Sequence, residues 1–179
     1  MVFRLLVLAT FVCVTLADVI YPKVLLIYNT ATYSDEAVDN YNQINSLADY
    51  FAGQDFEILG FPTNEFGKAE PGNGYDEIIN QLKYVRPGDG FVAKLTFFQK
   101  IATNGNGDSP IFNFLKLTCP YVADTFETDI YYSPQSVEDV RWNFEKFLVG
   151  KDGKTYFRYH SSTTDPQDLI PDIESLLSA

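Results

Sequence analysis

Val24-Leu25-Leu26-Ile27-Tyr28-Asn29, running on into Thr30-Ala31-Thr32-Tyr33-Ser34-Asp35-Glu36, is the stretch that decides how this chain folds. The apolar run over residues 24–28 is continuous rather than alternating, so it reads as a strand buried on both faces. Over residues 35–51 the period changes, and Val38, Tyr41, Ile44, Leu47 and Phe51 recur at helical spacing. A buried strand feeding straight into an amphipathic helix is the opening of an α/β unit.

Working outward, residues 56–61 form the next strand signal, and residues 75–85 a helix with Ile78, Ile79 and Leu82 on one side. Pro62, Gly67, Pro71, Gly72 and Gly74 punctuate the long connection between them. Ordered connections of that kind carry function more often than packing. Residues 110–118 predict a third helix, with Pro110 in the first turn where its missing N–H costs nothing. Residues 141–149 and 154–160 predict two strands joined by the hairpin signature Gly150-Lys151-Asp152-Gly153, and residues 165–177 a closing helix. Alternating strands and helices predict an α/β sheet that ends in an antiparallel pair.

With 179 residues, 46% hydrophobic content, 15 Phe and 12 Tyr, the chain can bury one sizeable core. Residues 1–17 combine a charge at Arg4, an apolar run over residues 5–14 and the small-residue exit Thr15-Leu16-Ala17. That pattern predicts a secretory signal peptide, leaving one domain over residues 18–179 in an extracellular setting. No later segment reads as a membrane span. The net charge of −11 becomes one unit more negative when Arg4 leaves, which disfavours nucleic acid and anionic lipid as partners. Cleavage would also remove Cys13 and leave Cys119 either as a buried apolar residue, the reading its place at the end of an apolar helical pattern favours, or as half of an intermolecular link. One Cys and one His build no metal site, so no metal is expected.

Four blocks carry a more specific signal. They are Val24 to Ser34, then Gly60-Phe61-Pro62-Thr63-Asn64-Glu65-Phe66-Gly67 running on to Gly72, then Lys83-Tyr84-Val85-Arg86-Pro87-Gly88-Asp89-Gly90-Phe91, and Arg141-Trp142-Asn143-Phe144-Glu145-Lys146-Phe147-Leu148-Val149. Together they resemble the signature blocks of the glutathione peroxidase family, in that family's order and spacing. The resemblance implies a thioredoxin-like fold, a central mixed β-sheet flanked by helices. It also implies a departure: six residues, 18–23, stand where relatives carry an N-terminal β-hairpin, which is therefore short or missing.

The family reaction is attack of a selenolate or thiolate on a peroxide O–O bond, followed by reduction with glutathione or another thiol. Its active-site positions fall on Ser34, Glu65, Trp142 and Asn143, where the family pattern has selenocysteine or cysteine, Gln, Trp and Asn. The Trp142 and Asn143 donors are expected to face the side chain of residue 34. A carboxylate at Glu65 opposes an anion there, and Asp35, Glu36 and Asp39 add three more negative charges. Ser34 ahead of Asp35-Glu36 also reads as a helix N-cap.

Of the arginines that relatives use to hold glutathione, Arg86 is kept, whereas Asp39, Ser161 and Ser162 occupy the other positions. The segment that carries a resolving cysteine in thioredoxin-dependent relatives, residues 90–100, has none. A hydrolase built on Ser34, Glu65 and His160 lacks a nucleophile-elbow motif and is disfavoured. The sequence thus points to a secreted family member without peroxidase activity that acts by binding or as a structural protein. The competing reading is a weak glutathione or thiol peroxidase. No cofactor is expected, and glutathione enters only as a co-substrate of an active form. The block over residues 83–91 resembles the loop of tetrameric extracellular members, which predicts a homotetramer.

Overall fold

The computed structural model describes residues 23–179, so the expected leader and the question of the N-terminal hairpin lie outside the described residues. The elements in chain order are β1 (Val24–Thr30), α1 (Ala37–Tyr50), β2 (Phe56–Pro62), α2 (Tyr75–Tyr84), β3 (Thr96–Phe97), α3 (Pro110–Thr118), β4 (Lys146–Val149), β5 (Thr155–Tyr159), a 3-10 turn (Pro166–Leu169) and α4 (Ile170–Ser178). The five strands make one mixed sheet in the order β3-β2-β1-β4-β5. β1 pairs parallel with β2 and antiparallel with β4, while β2–β3 is parallel and β4–β5 antiparallel. The expected α/β thioredoxin-like architecture is therefore present.

β1 lies at the centre of this sheet, and all seven of its residues are buried. Alternation divides them between two cores. Val24, Leu26 and Tyr28 pack with Tyr41, Ile44 and Leu47 of α1, Leu82 of α2 and Ile173 of α4. Leu25 and Ile27 face Phe112 and Leu115 of α3, with Phe61, Phe66 and Phe147. Helices cover both faces, which is why the strand is apolar throughout instead of alternating.

Two expected boundaries move. The strand predicted over residues 141–149 begins only at Lys146. Ahead of it the Asn29 side chain takes up two backbone groups that a ladder would need: its Nδ2 donates to the Trp142 carbonyl at 3.0 Å, and its Oδ1 accepts from Glu145 N–H at 3.1 Å. Phe144 adopts a positive φ of 64°, so the chain turns there instead of running straight. The closing helix predicted over residues 165–177 begins as a 3-10 turn, opened by a capping box between Asp165 and Asp168. β3, two residues long, gives no strand pattern of its own.

Loops leaving the C-terminal ends of β1 and β2 and the turn ahead of β4 meet at one edge. A buried ion pair steadies that last turn from beneath. Arg158 of β5 donates through Nε to Glu145 Oε1, and through its terminal nitrogens to the carbonyls of Glu138 and Asp139. Glu145 Oε2 accepts the Arg141 backbone N–H at 2.8 Å. Cys119 is buried at the end of α3, as expected, and burial pushes its thiol pKa up.

Candidate functional site

Position 34 sits in the loop between β1 and α1. Tyr33 N–H donates to the Ala69 carbonyl at 2.8 Å, and both the backbone N–H and the hydroxyl of Thr32 donate to Glu70 Oε2, at 2.9 and 2.7 Å. The fully buried Glu70 carboxylate thus straps the residue-34 loop to the segment after β2. Burial raises its pKa, while the Thr32 donors and Lys100 pull the other way.

Ser34 is 5% exposed. Its backbone, not its hydroxyl, makes the turn: N–H donates to the Ala31 carbonyl and C=O accepts from Ala37 N–H at 3.0 Å. α1 begins at Ala37 with Glu36 at the cap position and no side-chain cap bond, so the expected Ser34 N-cap is not formed. Two further turn residues intervene between Ser34 and the helix, which puts its hydroxyl out of register with the first free N–H groups.

Glu65, Trp142 and Asn143 come together around Phe66. The Trp142 ring packs on Phe66 with centroids 5.7 Å apart, and Asn143 Nδ2 donates to the Phe66 carbonyl at 3.3 Å. One Asn143 amide N–H is thus taken by a carbonyl, and the Asn29 clasp fixes the turn that carries it. Glu65 is turned into the wall. Its Oε2 accepts from Thr63 Oγ1 at 3.1 Å, from Thr103 N–H at 2.7 Å and from the Thr103 hydroxyl; its Oε1 accepts from Asn104 N–H at 3.3 Å. Four donors on one carboxylate are the reason a charge can be buried there.

Arg86 meets the residue-34 loop from outside. Its Nη2 donates to the Ser34 carbonyl at 3.0 Å and to the Asp35 carbonyl at 3.4 Å, so part of the guanidinium expected for a ligand carboxylate braces the chain's own backbone. His160 is elsewhere engaged: its Nδ1 accepts from Ser162 N–H at 3.2 Å and contacts the Ser162 hydroxyl at 3.0 Å. No hydrogen bond joins Ser34, Glu65 and His160 among the described residues, in line with rejection of the hydrolase arrangement.

One group escaped sequence reasoning. Lys146 is fully buried, donating to the carbonyls of Phe144 at 2.9 Å and Thr164 at 3.1 Å. Burial lowers its pKa to about 8, against the pull of Glu36, Asp165 and Glu145. Glu36 moves upward, chiefly through burial, with Lys146 opposing and Glu127 and Asp35 adding to the rise. A lysine inside an apolar strand block carries no pattern that marks it as buried. Among the described residues no cluster of His, Cys, Asp and Glu could hold a metal ion.

The sheet order, the loop after β1 and the helix that follows it define a thioredoxin-like domain. Residues 12–116 match the family model described as glutathione peroxidase. Glutathione peroxidase 3 of Sapajus apella is 42% identical over 144 residues, covering 79% of this chain and 63% of that protein. Glutathione peroxidase 1 of Mus musculus is 43% identical over 162 residues, covering 87% of this chain and 80% of that protein. In three dimensions the crystal structure of Trgpx in apo form superposes with a TM-score of 0.64 at 28% identity, covering 91% of this chain and 85% of that one. The crystal structure of T. cruzi GPX1 shares the fold, with a TM-score of 0.62.

The chain belongs to the glutathione peroxidase family. It spans 63% of the length of the glutathione peroxidase 3 relatives, and its identity to the types named 1 and 3 is the same within two percentage points.

Proposed function

We propose that this chain is a secreted glutathione peroxidase homologue that does not turn over peroxide and acts through binding or as a structural component. The observation that carries the reading is the serine at position 34. Peroxide reduction requires a soft nucleophile that is an anion near neutral pH: RS⁻ attacks HOOH, the O–O bond breaks, RSOH forms and hydroxide leaves. A hydroxyl is hard and stays protonated, and among the described residues no side chain accepts a hydrogen bond from it. Glu65, the carboxylate in the glutamine position, is occupied by four donors, and Arg86 by two carbonyls.

Secretion is supported by Arg4 and the apolar run over residues 5–14. Assembly into a homotetramer is supported by the block over residues 83–91, where Tyr84 and Val85 are exposed at 67% and 59%, with Val92 just beyond it at 68%.

Replacing Ser34 by Cys tests the reading. The Ser34→Cys variant should consume hydrogen peroxide stoichiometrically and form a sulfenic acid that a dimedone probe traps, while the native protein forms no adduct at position 34. Peroxide reduction by the native protein at the rate of the variant would overturn the proposal.

A further inference from the structure

An open hollow of about 550 Å³, which Ser34 does not line, has Glu65 in its wall together with the loop after β2, the loop ahead of α3 and residues 131–133. Its lining is donor-rich in a chain of net charge −11. Two ammonium groups face it, Lys68 and Lys100, and no carboxylate lies within 4 Å of either among the described residues. Lys100 rests on neutral acceptors, the Glu70 carbonyl at 3.1 Å and Asn73 Oδ1 at 3.0 Å. Lys68 lies over the Tyr131 ring at 4.2 Å from its centroid, a contact that holds the ammonium without neutralising it.

The acceptors that could compete are already used inside the wall. Glu65 takes its four donors from Thr63, Thr103 and Asn104. Asn64 Oδ1 accepts from Glu70 N–H at 2.9 Å, which leaves the Asn64 amide N–H groups free to donate into the cleft. Asn104 Oδ1 is likewise spent, on Val140 N–H and Lys116 Nζ. Lys68 is held at a positive φ of 48°, next to Gly67 at 62°, a conformation that costs a non-glycine residue about 1 kcal/mol. The acids nearest the cleft are Glu65, so occupied, Glu70, bonded to Thr32, and Asp129, whose Oδ2 lies against Gly67.

We infer that this cleft is a binding site for a phosphate group. Two lysines and an amide suit a compact, tetrahedral anion, which is met by point charges from several directions. A planar carboxylate is best met by the paired N–H groups of an arginine, and none lines the cleft. Binding there does not depend on whether residue 34 turns over peroxide. Its phosphate is free or carried on a small ester, and the two are told apart by titration.

The test is a ¹H–¹⁵N NMR titration of the whole protein at constant ionic strength, with inorganic phosphate in one arm and glycerol phosphate in the other. Saturable shifts at the amides of Lys68, Thr103 and Asn104 are expected. Lys68→Met, an exposed substitution that leaves the fold in place, should weaken binding about tenfold, the loss of one charge-assisted hydrogen bond. Lys100→Met should do the same. Tighter binding of glycerol phosphate than of phosphate identifies an ester as the ligand, and equal or weaker binding identifies the free anion. Shifts that do not saturate by about 10 mM, that spread over the surface, or that survive Lys68→Met unchanged overturn the inference.

Discussion

A hydroxyl at position 34 leaves its neighbours with nothing anionic to stabilise, and the neighbourhood is arranged accordingly. Asp35 is exposed and Glu36 half-buried, with a pKa that burial drives up. Behind Glu36 lies Lys146, whose pKa falls to about 8 because burial of its ammonium outweighs the pull of Glu36, Asp165, Glu145 and Asp168. An unfolded lysine keeps its proton up to about pH 10.4. Between pH 8 and that value the unfolded chain therefore binds more protons at this site, and the native protein gains stability as pH rises. Measured against Lys146→Met by urea denaturation, the native protein should gain up to about 3 kcal/mol between pH 8 and 10. A pH-independent difference would show that Lys146 titrates normally. The substitutions at 34 and 65 were legible from sequence because they replace known chemistry. The partners of Glu65 were not, since Thr103 and Asn104 are thirty-eight and thirty-nine residues away and reach it only through the fold.

At the scale of elements, β1 organises both the core and the site. Its apolar run predicted the strand correctly, and the spacing over residues 35–51 predicted α1 to within two residues at its start. The start of β4 was not legible, because a side chain overrode the strand pattern. Asn29 sits fully buried at the end of β1 and bonds Trp142 and Glu145 across the sheet. Asn29→Ala would leave a buried carbonyl and a buried N–H unpaired, at a cost of about 3 kcal/mol. The expected result is that loss of stability in urea, accompanied by a change in Trp142 fluorescence, since the released turn carries the only tryptophan. A loss below about 0.5 kcal/mol would mean that the clasp contributes nothing beyond an ordinary surface contact.

For the whole molecule, the alternation of strands and helices and the closing antiparallel pair followed from periodicity, while the sheet order and the location of the cleft beside Glu65 did not. That cleft is assembled from loops of irregular backbone, for which apolar spacing carries no signal. The exposed Tyr84, Val85 and Val92 surround a turn in which Gly88, Asp89 and Gly90 all have positive φ, so the loop stands out as a formed projection. Sedimentation at micromolar concentration should give about four times the mass of a single processed chain, and Val85→Asp should shift it towards monomer. Monomer mass for the native protein would contradict a tetramer built on that loop.

The proposed reading requires that the native protein, with serine at position 34, leaves peroxide unreduced. The direct measurement is NADPH oxidation by the purified native protein with glutathione, glutathione reductase and hydrogen peroxide. The rate should equal that of buffer at every protein concentration; a rate that rises in proportion to protein and saturates with peroxide would contradict the account.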